Sequence, residues 1–301
     1  MKSRIANRFR QIVSGSPDGR PDWVKQIEIG DDAGLFGVDS PVWKVHGDIA
    51  TLVGGVRALL LQAAHPAALT GVAEHSRYES DPLGRLAGTS RWLTITTFGS
   101  TQAIEREAQR VNEMHKRVTG DYTNKSGESA PYKASDPRYL LWVHCAFTDS
   151  FLETHLAFNP EFADGDEYVR QWAKSAVGLG LKEAPLSRAE LTATMDGFAA
   201  HELARSEHTA DVVRFIMKPP LGSAPLLFYR FLAKSAVYTL TPQQRSILGL
   251  KQVSRAWVTT TKYLLAALSW TLGKESPSQE VARSRIAVSY THLTLPTKRI
   301  V

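Results

Sequence analysis

The sequence predicts an all-α protein, a single multi-helix domain, on three observations. Apolar residues recur at three- and four-residue spacings along most of the chain, and no set of alternating runs suggests paired strands. Prolines repeatedly follow a capping residue, at Ser40-Pro41, Asp136-Pro137 and Thr241-Pro242, which is how helices start. No internal repeat or low-complexity linker divides the chain, so residues 1–288 read as one domain.

The elements follow in order. Ser40 caps a helix with proline at its first position. Asp48 to Ala64 is mostly apolar and helical, stopped at His65-Pro66 because proline pushes the residue before it out of the α region. Pro82 to Phe98 is the next helix, ending near Gly99. Thr101 to Thr119 is the clearest: Glu105 and Glu107 lie early, Lys116 and Arg117 late, and Gly120 follows as a C-cap, all in the sense the helix dipole favours. Thr119–Ser135, rich in Gly, Ser, Asn and Asp, reads as a loop. Asp136-Pro137 opens a long helix to Phe158, closed by Asn159-Pro160. Ser187 and Glu190 form a capping box for a helix to about Arg205. Pro219-Pro220 breaks the chain, Pro225 to Leu240 is an apolar helix, and Lys251 to Leu272 is expected to be the last long one. Ser289–Val301 has no helical period and resembles translated sequencing-adapter read-through. It is expected to be a non-native tail outside the fold.

Composition narrows the function. With 301 residues, 43% of them hydrophobic, the chain has enough material to bury a core and enclose a cofactor. The formal charge of +6 comes from basic residues spread along the chain rather than a polybasic block, so nucleic acid is not an expected partner. Cys145 is the one cysteine, which excludes an intramolecular disulfide and a cysteine-based zinc site and fits a reducing, cytoplasmic setting. The N-terminus has charge but no apolar stretch behind it, unlike a secretory signal. Ile5, Phe9 and Val13 make a small basic amphipathic helix, which leaves peripheral membrane contact open.

Two histidines fall on inward stripes. On the Thr101–Thr119 helix, Ile104, Ala108, Val111 and Val118 mark one face, and His115 takes the vacant place in that series. Leu140, His144, Phe147 and Phe151 form a similar stripe on the Asp136–Phe158 helix. A buried imidazole needs a partner for each nitrogen: a core histidine bonded to a carbonyl is one reading, and ligation of a metal is the other. Arg85 and Thr89, four apart, share a helix face. They suit either a cofactor-carboxylate clamp or an ordinary surface pair.

Other motifs fail. His201-Glu202 begins like a zinc-protease helix, but Arg205 stands where the second histidine belongs. Gly54-Gly55 lacks the lysine and spacing of a phosphate loop. No Gly-x-Ser-x-Gly elbow occurs.

Four segments taken together carry a resemblance. They are Leu59-Leu60-Leu61-Gln62-Ala63-Ala64-His65-Pro66, then Pro82-Leu83-Gly84-Arg85-Leu86-Ala87-Gly88-Thr89, then Val111-Asn112-Glu113-Met114-His115, and Asp136-Pro137 followed by Leu141-Trp142-Val143-His144. In that order, over about residues 40–270, they resemble the catalytic domain of latex-clearing proteins (rubber oxygenases) and MpaB-type oxygenases. The resemblance implies a helical fold with a globin-like core, a b-type haem, and oxygen-dependent cleavage of isoprenoid double bonds. It implies His115 as the axial iron ligand, with Arg85 and Thr89 on the family's Arg-x-x-Lys-Thr signature and Glu74 nearest to its proposed catalytic glutamate. His144 becomes a propionate or supporting partner, and the ligand in its place if His115 is not. The signature lysine is Gly88 here, which leaves the sixth iron position without that amine. An intracellular enzyme would not meet a solid polymer, so the expected substrates are dioxygen and a small apolar alkene. A haem carrier or sensor without turnover, and a helical binding module without cofactor, stay open beside this reading.

Overall fold

The computed structural model describes residues 20–75, 82–273 and 275–294, with a few isolated positions before residue 20. The side chains of 72–75, 82–87, 207 and 289–294 are outside that description. A short 3-10 helix, Asp22–Glu28, precedes α1 (Pro41–Gly47), α2 (Thr51–Gln62), α3 (Pro66–His75), α4 (Pro82–Phe98) and α5 (Thr101–Lys116). A hairpin of β1 (Thr119–Thr123) and β2 (Ser129–Lys133) leads into α6 (Pro137–Phe158), α7 (Gly165–Trp172), α8 (Lys174–Val177) and α9 (Arg188–His201). Then come α10 (Glu207–Met217), α11 (Ser223–Thr239), α12 (Pro242–Leu248), α13 (Ala256–Leu272) and α14 (Pro277–Thr294).

The caps form where expected, except that the Ser187 box is only half made, since the Glu190 carboxylate accepts from Leu186 N rather than from Ser187 N. Ser40, Asp136, Ser187 and Thr241 each accept a hydrogen bond from a first-turn N–H of their helix. Asn159 closes α6, and Gly249, at φ +66°, ends α12 in the left-handed conformation that glycine adopts without penalty.

At the centre, α2 packs along α6, and α11 and then α13 stack outward from them. The approach of α2 to α6 depends on Gly54. A Cβ at that position would sit 2.6 Å from the Phe151 ring. The fully buried Arg57 of α2 crosses the same interface, 2.7 Å from Asp149, with Ser150 at 3.1 Å and Gln244 of α12 at 3.3 Å. A buried guanidinium is tolerated only when such partners replace its water.

Several boundaries differ from expectation. The helix expected to run to Thr119 stops at Lys116, with Arg117 as its C-cap, and Gly120 is not a cap but a strand residue paired with Tyr132. The stretch expected as a loop is an antiparallel hairpin turning on Asn124 and Gly127, whose φ is +86°. Its polar composition hid it because one strand face is exposed and the other half-buried. Leu272 does not end the last long helix. Ser276 and Gln279 form a reciprocal cap that starts α14. Arg285 then ties that helix to the backbone carbonyls of Ile27, Asp32 and Phe98. The helical backbone continues through Ser289–Thr294, inside the segment expected to lie apart. The N-terminal amphipathic stretch around Ile5, Phe9 and Val13 lies outside the described residues.

Candidate active site

Helices α4 and α5 pack together, joined by a buried carboxylate. The Glu107 side chain is inaccessible to solvent and receives Arg91 Nε at 2.9 Å from α4 and Arg110 Nη2 at 2.6 Å from its own helix. Arg91 also reaches Gln26 of the 3-10 helix. These charge-assisted bonds fix the register of α5, and therefore of His115 two turns further on, against α4.

His115 sits in the last turn of α5, half-buried rather than in the core, because the helix ends one residue later and Val118 falls outside it. Its Nδ1 is nevertheless buried without a hydrogen-bond partner. Burial, helped by the positive charge of Arg110, lowers its pKa, so the ring is neutral at pH 7. Thr89 lies half-buried on α4. The side chains of Arg85 and Glu74 fall outside the described residues, although both positions are in helices, α4 and α3.

His144 does lie on an inward stripe. Leu140, His144 and Phe151 are buried along α6 and Phe147 is half-buried. Burial lowers the His144 pKa to about 4, and its Nε2 has no partner. Among the described residues no hydrogen bond or ring contact joins His144 to His115, so the two histidines are separate features.

The structure adds a third imidazole. His65, at the junction of α2 and α3, is 1% exposed and lies against the rings of Tyr139, Trp142 and Phe198. Its Nε2 is 3.3 Å from the Glu202 carboxylate, which also receives Arg138 Nε at 2.7 Å, while Nδ1 is buried and unpartnered. Burial pushes the Glu202 carboxyl up, but the bonds from His65 and Arg138 outweigh it and hold the pKa at about 2. An imidazole oriented by a carboxylate, with its other nitrogen free, is a common ligand or base arrangement. Sequence reasoning included His65 in a motif without giving it a role. Its partner is 137 positions away, beyond the reach of helical spacing.

The contrast is His46, between α1 and α7. Its Nδ1 is 2.8 Å from Thr97 Oγ1 and its Nε2 2.9 Å from Tyr168 Oη, so both nitrogens are used. His155 likewise pairs with Asp48 at 2.9 Å.

A family model described as the ER-bound oxygenase mpaB/B′/rubber oxygenase catalytic domain matches residues 43–273. The chain belongs to that family. No curated protein and no solved structure matches it. In this oxygenase catalytic domain the matched region runs from α1 to just past α13, so it contains His65, Thr89, His115 and His144 together.

The donor set bears on the cofactor. Among the described residues no group of three His, Cys, Asp or Glu side chains is placed to hold a metal ion. Haem makes a smaller demand on the protein, because the macrocycle supplies four iron ligands and one imidazole suffices. A histidine with an unpartnered ring nitrogen meets that demand, and His115, His144 and His65 each provide one. Gly88, where the family signature has lysine, is exposed on α4, and a Cβ there would meet nothing within 4 Å.

Proposed function

We propose that this oxygenase-family chain is haem-b-dependent and acts with dioxygen on a small apolar, unsaturated, isoprenoid-like substrate. The observation that carries this reading is His115: a neutral imidazole with a buried, unsatisfied nitrogen on the helix packed against the Arg85–Thr89 helix. Bound there, haem would supply the iron that activates dioxygen for cleavage of a carbon–carbon double bond. The protein's own part is to hold and to shield. His115 would hold the iron, kept uncharged by burial so that its lone pair is available. The Glu107 clamp keeps its helix in register. Arg85 would pair with a propionate with Thr89 in support, Glu74 would be the proton-handling carboxylate, and His144 would serve as a propionate or supporting partner. The single cysteine, Cys145, is buried, which fits the reducing environment of the cytoplasm.

Reconstitution with haemin tests the reading. The wild type should show a Soret band and take up oxygen with an isoprenoid alkene. His115→Ala should lose the band or leave a weakly held haem with a changed spectrum, whereas His144→Ala should keep it. Arg85→Ala should weaken haem retention by roughly 1.5–3 kcal/mol, the value of a hydrogen bond to a charged group, without unfolding the chain. Loss of the band in His65→Ala with full retention in His115→Ala would move the ligand to the carboxylate-oriented histidine. A Soret band without oxygen uptake favours a carrier or sensor. No haem uptake at all leaves the oxygenase domain without this cofactor.

A further inference from the structure

The basic residues are spread along the chain, but the acidic ones are not. Between Val212 and Lys274 the sequence has nine Lys and Arg and no Asp or Glu. That stretch alone exceeds the net charge of +6, and the remainder has 27 basic against 30 acidic residues. It spans most of α10 and all of α11, α12 and α13. Exposed Lys218, Arg230, Lys251 and Arg255 make no ion pair among the described residues. The helical part of this stretch thus carries positive charge with no acidic residue in it.

The same helices expose large apolar groups. On α13, Val258, Thr261 and Leu265 face inward, and the outer face is Thr259, Tyr263, Ala266 and Trp270, at spacings of four, three and four. Tyr263 is 73% and Trp270 70% exposed, and Leu227 of the neighbouring α11 is 56% exposed. Arg255 flanks that outer face, while the Lys262 amine donates to the Phe158 carbonyl at 2.8 Å. Arg10 Nη2 donates to the Leu272 carbonyl at 2.9 Å, which places one more guanidinium at the Trp270 end of α13.

We infer that the outer face of α13, with its surrounding basic residues, docks on the surface of an anionic lipid bilayer. Tyr and Trp favour the headgroup boundary, where an apolar ring and a polar edge are both accommodated. Small alanines between them let the helix lie close. Lysine and arginine near the surface draw the face toward anionic headgroups, and no carboxylate in the segment opposes them. No helix among the described residues is long and apolar enough to cross a membrane, and the proposed attachment is peripheral. The inference is independent of haem.

The test is co-sedimentation of the full chain with phosphatidylcholine vesicles, with and without phosphatidylserine. Binding should appear with phosphatidylserine and weaken as salt is raised. Lys251→Glu/Arg255→Glu should lower partitioning at least about tenfold, since each basic residue near the surface contributes on the order of a factor of five. Tyr263→Ser/Trp270→Ser should lower it independently at constant charge. The charge variant substitutes exposed residues only, so it keeps the test valid if the aromatic variant misfolds. Absence of binding to anionic vesicles, or binding unchanged in both variants, overturns the proposal. So does a dimer in sedimentation velocity that Tyr263→Ser/Trp270→Ser dissolves, because a second copy then covers the face. Capture by single-stranded nucleic acid without vesicle binding overturns it as well.

Discussion

The surroundings of His46 and of His144 make a controlled comparison. Both rings are buried and held neutral, with pKa values lowered by burial to about 3 and about 4. His46 spends both nitrogens on Thr97 and Tyr168 and packs edge-on against Phe151, Tyr168 and Trp172. His144 keeps an unsatisfied Nε2, as do His65 and His115 at Nδ1. Burial alone therefore does not distinguish a structural histidine from an available one; the accounting of its nitrogens does. His46, Glu107 and, through both terminal nitrogens though not its buried Nε, Arg57 find partners and hold the helices together. The unsatisfied ones cost stability of roughly 1–3 kcal/mol each, a cost that a ligand removes.

The largest expected effect lies on the satisfied side. Asp149→Ala should destabilise the fold by about 3–5 kcal/mol, because it strands the Arg57 guanidinium between α2 and α6. Denaturant unfolding measures this. A loss below about 1 kcal/mol would mean that Ser150, Gln244 and the Thr239 carbonyl compensate Arg57 without the carboxylate.

Acid should expose the neutral pair next. Between the ordinary pKa of 6.5 and about 4, an unfolded chain protonates these two rings and the folded chain does not, so stability is full above pH 6.5 and falls as the pH drops. By pH 4 each ring should have removed about 3 kcal/mol. Asp48, with a lowered pKa, and Glu202, at about 2, lose their contributions at lower pH, which leaves the upper window to the histidines. His144→Leu should flatten the profile over that window. An unchanged slope would mean that the ring is charged in the folded state.

Leucine substitutions at neutral pH sharpen the contrast. His46→Leu leaves Thr97 and Tyr168 each short of a partner and should cost about 2 kcal/mol more than His144→Leu, which strands no partner at Nε2. Equal losses would show that His144 has a hidden partner and would weaken its role as an available nitrogen.

How legible this was in the sequence depends on range. Caps are local, so Ser40, Asp136, Ser187 and Thr241 announced their helices correctly. The stripes through Ile104, Ala108 and Val111 and through Leu140 and Phe151 were visible for the same reason. His115 was misjudged as a core residue because the stripe was extended past the end of its helix, to Val118. The α14 start is also local, a Ser276–Gln279 cap with proline at the first position, although the expected last long helix ends at Leu272. The His65–Glu202–Arg138 cluster and the Arg57–Asp149 pair join distant positions, and no local pattern contains them. Oxygenase membership rested on four short segments in order, a signal that survives even where the side chains of Arg85 and Glu74 are not described.

The smallest effect concerns the position where this chain departs from its family's signature. Gly88 lies mid-helix in α4, exposed, with open space around an added Cβ and no positive φ. Gly88→Ala should therefore stabilise by about 0.5–1 kcal/mol, since alanine gives up less backbone freedom on folding and exposes less of the helix to water. Gly88→Lys should be tolerated nearly as well, because lysine is a good helix former and its chain has room. In haemin-reconstituted protein the same lysine variant tests the site. If α4 borders the haem as proposed, the new amine should change the Soret band, and alanine should not. A lysine variant that gains stability yet leaves the spectrum identical would place Gly88 away from the iron and remove the Arg85–Thr89 face from the site. The stability gain alone would then reflect helix propensity on an ordinary solvated surface.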